Sequence, residues 1–282
     1  MQMFHKFYCY FCVRNCPNEG ETTPSRPLIC EILMNDMEVL FSVITVTWNA
    51  AGVIAPTLKS VKEQSCTDYE YLVVDGVSTD DTLRMVNEAG IAGTRIVSER
   101  DKGLYDAMNK AIRFAKGKYL IWMNAGDAFA AADSLARMAA VAGSNPGVIY
   151  GQTQVVNAER KVVGMRHLTA PAVLTADSFK HGMLVCHQAF AARRDLAPQY
   201  NLAYRFSADY DWCIRVLQQS DHNAYVGDAP IVSFLTDGLT DKHHKASLKE
   251  RYHIMCHYYG TVATTIRHIG FAFRTLVRKV KN

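Results

Sequence analysis

The sequence predicts an α/β fold built on a mostly parallel, Rossmann-like central sheet with helices on both faces. From residue 39 onward, segments of strand length alternate with segments of helical spacing. The strand segments are apolar throughout, which is typical of strands buried on both faces. With 49% hydrophobic and 21% charged residues, the 282-residue chain has a globular composition, which argues against a disordered or fibrous protein. No stretch of about eighteen residues is apolar without a charge, so a conventional membrane-spanning helix is not expected.

Four apolar, β-branched segments are predicted as strands, and the segments between them as helices. The strands are expected at Val39–Thr47, Tyr69–Val74, Thr94–Ser98 and Tyr119–Met123. Three helices are expected between them: one that follows Gly52, one that ends at Glu88, and one at Leu104–Lys116. This alternation favours right-handed crossovers between parallel strands. Beyond residue 150 the pattern is less regular, and it predicts a helix at Ser207–Gln219 and a strand at Ile231–Leu235.

Three regions are predicted along the chain. Residues 1–38 lack apolar periodicity and contain a turn-rich cluster of Pro, Asn and Gly, so a weakly structured N-terminal extension is expected there. Residues 39–240 are expected to form the globular domain, with one half at 39–130 and the other at 131–240. Residues 241–282 are predicted as a basic amphipathic helical tail, because the stretch from Lys242 to Asn282 carries nine Lys and Arg against one acid.

The basic tail has two interpretations. Its mixture of apolar and basic residues would suit an anionic membrane surface, and packing against the globular domain or a second subunit is the alternative. Nucleic acid is not an expected partner, because the positive charge is confined to the tail. Four single cysteines, and an apolar run at residues 7–13 that is too short for a secretory signal, favour a cytoplasmic protein. If the tail binds lipid, the protein would lie peripherally on the inner face of the plasma membrane.

Polar residues follow three of the four predicted strands: Thr47-Trp48-Asn49, Asp75-Gly76 and Asn124-Ala125-Gly126-Asp127. In open parallel sheets, ligands bind beyond the carboxyl ends of the strands, where such residues meet. The three-glycine spacing of dinucleotide folds and the lysine motif of phosphate loops are both missing. An acid such as Asp127 can hold a Mg²⁺ or Mn²⁺ ion that bridges two phosphates, or it can cap the helix expected near Ala131.

Four segments together resemble the inverting glycosyltransferases of family 2. They are residues 42–49 (SVITVTWN), 73–80 (VVDGVSTD), 98–110 (SERDKGLYDAMNK) and 119–127 (YLIWMNAGD), which occur in the order and at the spacing of that family. The nearest likeness is to the bacterial branch that makes colanic acid and related surface polysaccharides, and it covers residues 40–240. The resemblance implies a GT-A fold, with a nucleotide-binding half followed by an acceptor-binding half.

The resemblance also implies roles for residues in the donor half. Thr47 and Asn49 would line the nucleotide pocket, Asp75 would contact the base, and Asp127 would hold Mg²⁺ or Mn²⁺. In the third segment, Asn109 and Lys102 would approach the ribose and the diphosphate. Asp106 completes the expected donor-binding set. Asp106 could equally fix the loop before its helix.

In the acceptor half, the resemblance implies that Asp209 is the catalytic base, with Asp211 beside it. Both acids open a predicted helix, so N-terminal capping is the alternative explanation. His187 and Gln188 resemble a segment that faces the acceptor, and a purely structural histidine is the alternative there.

Two departures from the family pattern stand out. Many relatives carry a second acid, which contacts the base, where this chain has Gly76. Relatives also show two or three acids where this chain has Asn124, Gly126 and Asp127, so metal affinity would depend mostly on the diphosphate. Trp48 and Trp122 are expected in the core or in a pocket wall.

The sequence thus predicts an inverting transferase that moves sugar from a nucleotide-sugar, with a UDP-sugar preferred, to a hydroxyl of a glycan or lipid-linked acceptor in bacterial surface polysaccharide biosynthesis. A sugar-phosphate nucleotidyltransferase and a noncatalytic carbohydrate-binding or scaffold protein are the alternatives. The donor sugar, the acceptor, the linkage position and the oligomeric state do not follow from the sequence.

Overall fold

A computed structural model describes residues 39–236 and 244–270, which belong to one compact unit. The predicted extension at residues 1–38 lies outside the described residues, and so do parts of the predicted tail, at residues 241–243 and 271–282. The four cysteines in the described part of the chain are free thiols, as expected: Cys66, Cys186, Cys213 and Cys256.

The first half of the sheet is the predicted series of parallel strands. Its elements are β1 (Phe41–Thr47), α1 (Ala55–Lys62), β2 (Tyr69–Asp75), α2 (Thr82–Ala89), β3 (Thr94–Ser98), α3 (Leu104–Phe114) and β4 (Tyr119–Trp122). The parallel pairs β1–β2, β1–β4 and β2–β3 give the spatial order β3-β2-β1-β4. Thr47 lies opposite Asp75 in register, and Asp75 lies opposite Ser98. The polar residues at the strand ends therefore share one edge of the sheet, as predicted.

Burial and backbone preferences explain where these elements begin and end. All seven residues of β1 are buried, in agreement with its apolar and β-branched sequence. Pro56 lies in the first turn of α1, where its missing N–H group costs no helical hydrogen bond. α2 ends at Gly90, whose φ of 59° is a left-handed conformation that a residue without a side chain adopts most easily.

The second half continues the same sheet with mixed strand directions. Its main elements are β5 (Ala128–Phe129), α4 (Ser134–Val141), β6 (Val148–Val156), β7 (Val162–Met165), β8 (Phe190–Arg193), α5 (Ala208–Gln218) and β9 (Asn223–Leu235). The sheet order runs on from β4 as β8-β6-β9-β5, with β7 paired to β6. β8 is antiparallel to both β4 and β6, whereas β6 and β9 are parallel. The predicted α/β class is confirmed, and the antiparallel pairs belong to the half whose pattern was irregular.

β9 is longer than its predicted segment, Ile231–Leu235, because it begins at Asn223. The added part contains Gly227 and Pro230, which are residues that weaken a strand pattern in sequence. They lie where the pairing with β6 shifts register, between Tyr150 and Gln152. Such an irregularity tolerates a proline, which cannot donate to a regular ladder.

Two helices follow β9 in the described residues: α6 (His244–Tyr259) and α7 (residues 261–270), separated by Gly260. α6 packs against the globular domain, because Ile254 and Met255 are buried and the Ser247 hydroxyl lies 3.0 Å from that of Ser207. The beginning of the predicted tail therefore packs on the domain. Within the described ranges, no helix is both long enough and apolar enough to cross a membrane.

Candidate active site

The candidate site lies at the carboxyl edge of the parallel strands, where Asp75 ends β2 between Thr47 of β1 and Ser98 of β3. The Asp75 side chain is fully buried, at 0% exposure. One carboxylate oxygen accepts hydrogen bonds from the backbone N–H of Ser78 at 3.0 Å and the hydroxyl of Ser98 at 2.6 Å, and the other accepts one from the Ser78 hydroxyl. The carboxylate thus organises the loop after β2 and joins it to the end of β3.

Asn49 and Thr47 occupy the end of β1. Asn49 has a left-handed φ of 48°, and its side-chain oxygen accepts a hydrogen bond of 2.8 Å from the backbone N–H of Thr79. This bond ties the β1–α1 loop to the β2–α2 loop. The Thr47 hydroxyl is buried and has no hydrogen-bond partner within the described residues.

Residues 99–103 form the loop before α3, called here the donor loop. Lys102 is exposed in this loop, and its backbone N–H donates to the Asp106 carboxylate at 3.0 Å. The Lys110 side chain extends from α3 to this loop. Its ammonium group donates to the Arg100 carbonyl and lies 3.2 Å from the Glu99 carboxylate. Asp106 therefore fixes the loop in this structure, while the Lys102 side chain extends toward solvent.

Asn109 contacts protein where the sequence predicted a ligand. Its amide donates to the Tyr200 carbonyl at 3.1 Å and accepts from the Tyr200 backbone N–H at 2.6 Å, and the side chain is buried. These two bonds join α3 to the chain before α5. Each half of the amide is engaged by main chain, which gives Asn109 a structural role that the motif did not reveal.

Asp127 closes the turn after β4. The turn is held by the Thr57 hydroxyl, which donates to the Asp127 carbonyl at 2.6 Å and accepts from the Gly126 N–H at 2.9 Å. The Asp127 carboxylate accepts hydrogen bonds from the Gln188 amide at 2.6 Å and the Leu235 N–H at 3.1 Å. Burial raises the pKa of Asp127 to about 6, although these two bonds favour the ionised form.

Arg160 on the β6–β7 hairpin supplies positive charge near this carboxylate. Its guanidinium opposes the effect of burial on the pKa of Asp127. One guanidinium nitrogen, Nη1, is buried with no hydrogen-bond partner in the part of the chain that the structure describes. The hairpin thus carries an unpartnered cationic donor whose charge acts on Asp127.

The same turn offers a limited set of metal ligands. Besides Asp127, the side-chain oxygen of Asn124 is buried and unpartnered among the described residues. Over residues 39–236 and 244–270, no group of three or more His, Cys, Asp or Glu side chains could hold a metal ion. One carboxylate and one amide oxygen suit a Mg²⁺ or Mn²⁺ ion that takes its other ligands from a diphosphate and water. The residues fit that kind of ion and not a cage made of protein alone.

Asp209 and Asp211 lie in the first turn of α5 but have different surroundings. Asp209 is partly exposed, and its carboxylate accepts a hydrogen bond of 3.1 Å from the Tyr105 hydroxyl of α3. Asp211 is buried, and its two oxygens accept from Arg215 and Tyr258 at 2.8 Å each. Asp209 thus stands at the junction of the two halves, whereas Asp211 holds α5 to α6.

His187 and Gln188 are both buried, but they contact different parts of the site. The His187 ring is buried, stacks on Trp122 and hydrogen-bonds to the Tyr200 hydroxyl at 2.7 Å. Burial lowers the pKa of His187 to about 4, so the ring is neutral near pH 7. Gln188 instead donates to Asp127, a contact that the sequence did not suggest.

The two tryptophans discussed in the sequence analysis differ in burial. Trp122 is fully buried, as expected of a core residue. The Trp48 side chain is 67% exposed, so it does not belong to the core. Its indole therefore presents an apolar face to solvent at the carboxyl end of β1.

Comparison with known proteins decides the family. Residues 42–200 match the family model described as "Glycosyl transferase family 2". The chain belongs to glycosyltransferase family 2. A PGL/p-HBAD biosynthesis glycosyltransferase of Mycobacterium tuberculosis is 37% identical over 184 residues, which cover 62% of this chain and 69% of the relative. WfgD of Escherichia coli, a UDP-Glc:α-D-GlcNAc-diphosphoundecaprenol β-1,3-glucosyltransferase, is 23% identical over 188 residues, or 66% of this chain and 73% of WfgD.

Solved structures confirm the GT-A fold of this family 2 glycosyltransferase. Staphylococcus aureus TarS in complex with UDP-GlcNAc aligns with a TM-score of 0.64 and 19% identity over 77% of this chain and 64% of that chain. Glucosyl-3-phosphoglycerate synthase of Mycobacterium tuberculosis, solved with Mn²⁺, UDP and glucosyl-3-phosphoglycerate, aligns with a TM-score of 0.56 and 14% identity over 85% of each chain. The predicted closeness to the colanic acid branch stays a prediction.

Proposed function

We propose that this glycosyltransferase moves a sugar from a UDP-sugar to a hydroxyl of a glycan or lipid-linked acceptor, with inversion at the anomeric carbon, in the assembly of a bacterial surface polysaccharide. The hydrogen bond between Tyr105 and Asp209 carries the proposal. It holds a partly exposed acid of the second half against α3, which follows the donor loop. An acid in that position can act on an acceptor while the first half holds the donor.

The names of relatives support the choice of donor and acceptor. TarS has been solved with UDP-GlcNAc, and WfgD is named for a UDP-Glc donor and a diphosphoundecaprenol-linked acceptor. In this chain, the unpartnered Thr47 hydroxyl, the exposed Trp48 indole and the Lys102 side chain lie on segments at the carboxyl edge of the sheet. A hydroxyl, a flat apolar face and a cation suit a ribose, a base and a diphosphate, respectively.

Asp127, with Asn124, would hold a Mg²⁺ or Mn²⁺ ion, which would neutralise charge on the leaving diphosphate. The Gln188 amide and the Leu235 N–H hold the Asp127 carboxylate in a fixed orientation. Arg160 contributes a cation to the same region and would face the phosphates. Gln188 therefore acts on the donor side through Asp127, and His187 supports the Trp122–Tyr200 packing behind it.

The Asp209 carboxylate is the proposed base. It takes the proton of the acceptor hydroxyl while that oxygen forms a bond to the anomeric carbon and the bond from that carbon to the diphosphate oxygen breaks. Attack from the face opposite the leaving group inverts the configuration in a single displacement. Tyr105 donates to Asp209 and orients it, and Asp211 positions α5 through Arg215 and Tyr258.

The test combines ligand binding with transfer. UDP is expected to raise the melting temperature of the protein more than CDP or GDP does, and Mn²⁺ is expected to increase the UDP effect. Asp209→Asn is expected to lower transfer from the accepted UDP-sugar to a lipid-linked acceptor at least about a hundredfold, with the Kd for UDP within about twofold of wild type. The conservative variant keeps the size of the side chain and a hydrogen-bond acceptor for Tyr105.

Two results would favour the alternatives. Formation of a nucleotide-sugar from a nucleoside triphosphate and a sugar phosphate would establish a nucleotidyltransferase. UDP binding without transfer to any acceptor of a lipid-linked panel would favour a scaffold that retains the fold. Transfer that survives Asp209→Asn would remove this residue from the role of base.

We also propose that the end of the chain contacts an anionic membrane surface, where a lipid-linked acceptor would be found. α6 is docked on the domain, which leaves the residues after Gly260 for such a contact. On α7, three apolar side chains spaced along one face are 75%, 65% and 66% exposed: Val262, Ile266 and Ile269. The sequence beyond α7 adds four Lys and Arg, which are complementary to anionic lipid.

A further inference from the structure

We propose that Asp101 of the donor loop is a specificity-determining residue whose carboxylate recognises the base. This inference rests on the proposed UDP-sugar donor. The carboxylate would accept a hydrogen bond from the imide N–H of uracil. Asp75 offers no exposed carboxylate, and Gly76 has no side chain, so neither residue supplies this contact in the structure.

Asp75 is excluded by its surroundings. Its side chain is fully buried, and three donors from Ser78 and Ser98 already occupy its carboxylate. Because the side chain has no exposed surface, a ligand could reach these oxygens only if the residues that cover them moved. The next residue, Gly76, has no side chain, so β2 itself ends without an accessible acid.

Asp101 fills the space beside Gly76. Its Oδ2 atom lies 2.6 Å from the point where a Cβ atom on Gly76 would stand. In an aspartate, standard bond lengths place the carboxylate oxygen about 2.4 Å from its own Cβ. The two distances are nearly equal. The Asp101 carboxylate, which comes from a different loop, therefore places an oxygen about as far from that point as an aspartate at position 76 would.

The two oxygens of Asp101 have different tasks. Oδ1 accepts a hydrogen bond of 2.8 Å from the Gly103 N–H, which fixes the side chain within its own loop. For Oδ2, no donor is found within residues 39–236 and 244–270, and the side chain is partly exposed. The Trp48 side chain borders the same place, with Cβ and Cδ1 each 3.4 Å from the Cβ position on Gly76. Oδ2 is thus an acceptor beside an exposed aromatic ring.

The donor loop is held firmly enough to give this acceptor a defined position. The Glu99 N–H donates to the Asp75 carbonyl at 2.9 Å, which continues the β2–β3 pairing into the loop. Lys110 anchors the Arg100 carbonyl, and Asp106 accepts from the Lys102 N–H. Both neighbours of Asp101 are therefore tied down, so little conformational freedom is lost when a base binds.

The chemistry favours uracil over cytosine. An ionised carboxylate has only acceptors, and uracil presents an N–H group between its two carbonyls. Cytosine presents an acceptor nitrogen at the equivalent position, which would face the carboxylate unpaired. Loss of a hydrogen bond to a charged group weakens binding about tenfold or more, so Asp101 is expected to make UDP bind at least about tenfold more tightly than CDP.

The experiment measures Kd for UDP and CDP by titration calorimetry on the full chain. For Asp101→Asn, we expect about tenfold weaker UDP binding and unchanged or tighter CDP binding, because the amide can offer an N–H to cytosine. The variant keeps an oxygen for Gly103. As the control, Glu63→Gln removes an exposed negative charge just after α1, outside the donor loop, and is expected to leave the UDP to CDP ratio unchanged.

A relocation of the acid sharpens the test. Asp101→Ala should lose the UDP preference, and adding Gly76→Asp to that variant should restore it, since the vacated space then accepts the new side chain. Equal weakening of UDP and CDP in Asp101→Asn would indicate loop damage and would overturn the proposal, as would an unchanged ratio. A wild-type chain that binds no UDP would overturn the proposed donor itself, which is a different result.

Discussion

Individual acids of similar appearance in the sequence acquire different properties in the fold. Asp127 is buried and bonded to Gln188 and Leu235, whereas Asp209 is partly exposed beside Tyr105. Asp75 and Asp211 are each surrounded by donors that belong to the protein. Of these four acids, Asp209 is the partly exposed one, which suits the proposed contact with the acceptor, while Asp127 is the proposed metal ligand.

The buried state of Asp127 predicts a pH-dependent cost in stability. Its pKa rises from 3.8 to about 6 on folding, so the folded state favours the protonated form, and this contribution to stability is lost as the pH rises through about 6. The rise corresponds to about 3 kcal/mol at pH 8. We expect Asp127→Asn to raise the free energy of unfolding by between about 1 and 3 kcal/mol at pH 8 and by little at pH 4.

Urea unfolding of both chains at the two pH values measures this difference. Asp133→Asn, which changes an exposed acid near the start of α4, serves as the matched control and is expected to show no such dependence. A lower stability of Asp127→Asn at pH 8 would contradict the assigned cause. The same variant should lose the metal-dependent part of UDP binding.

At the scale of elements, α3 connects the donor half to the acceptor half. Asn109 on its buried face bonds twice to the main chain of Tyr200, and Tyr105 at its start bonds to Asp209 on α5. Tyr200 in turn stacks on Trp212 with 5.0 Å between ring centroids. These contacts set the distance between the donor loop and the first turn of α5, which the proposed reaction requires to be constant.

The role of Asn109 can be tested by separating stability from ligand binding. Asn109→Ala leaves a buried N–H and a buried carbonyl of Tyr200 without partners, so we expect a loss of about 2 to 3 kcal/mol in the free energy of unfolding. The Kd for UDP at a temperature where the variant is folded should change less than about threefold. Asn87→Ala on the exposed side of α2 is the control, with an expected change within about 0.5 kcal/mol. Wild-type stability combined with lost UDP binding would instead establish the direct donor contact that the motif predicted.

At the scale of the whole molecule, the C-terminal region serves two purposes. α6 belongs to the catalytic domain, because the Glu250 carboxylate accepts from the N–H groups of Arg205 and Phe206 and the Tyr258 hydroxyl donates to Asp211. α7 instead exposes apolar side chains and is followed by basic sequence. The two helices separate at Gly260, whose φ of 83° ends α6. On α7, Thr264 is buried and the Thr265 hydroxyl lies 2.9 Å from that of Tyr252 on α6, so the exposed apolar residues occupy only one side of α7.

This division predicts the behaviour of a shortened chain. A protein that ends at Gly260 should keep the melting temperature of the domain within a few degrees, because α6 is intact. It should lose flotation with vesicles that contain phosphatidylglycerol, whereas the full chain should float with them and not with neutral phosphatidylcholine vesicles. Ile266→Asp in the full chain should weaken flotation without a change of length. Equal flotation of the full and shortened chains would reject the membrane contact.

The sequence by itself determined the parallel strands, their order along the chain and the edge where polar residues gather, because these follow from local periodicity and from residues adjacent to strand ends. It also determined the family, through four collinear segments. Only the tertiary structure decided which polar groups face a ligand. The bonds from Gln188 to Asp127, from Asn109 to Tyr200 and from Tyr258 to Asp211 join residues 61, 91 and 47 positions apart. The placement of Asp101 beside Gly76 likewise depends on how two loops pack. Such contacts depend on chain segments that meet only after the sheet and helices have assembled, so no local pattern contains them.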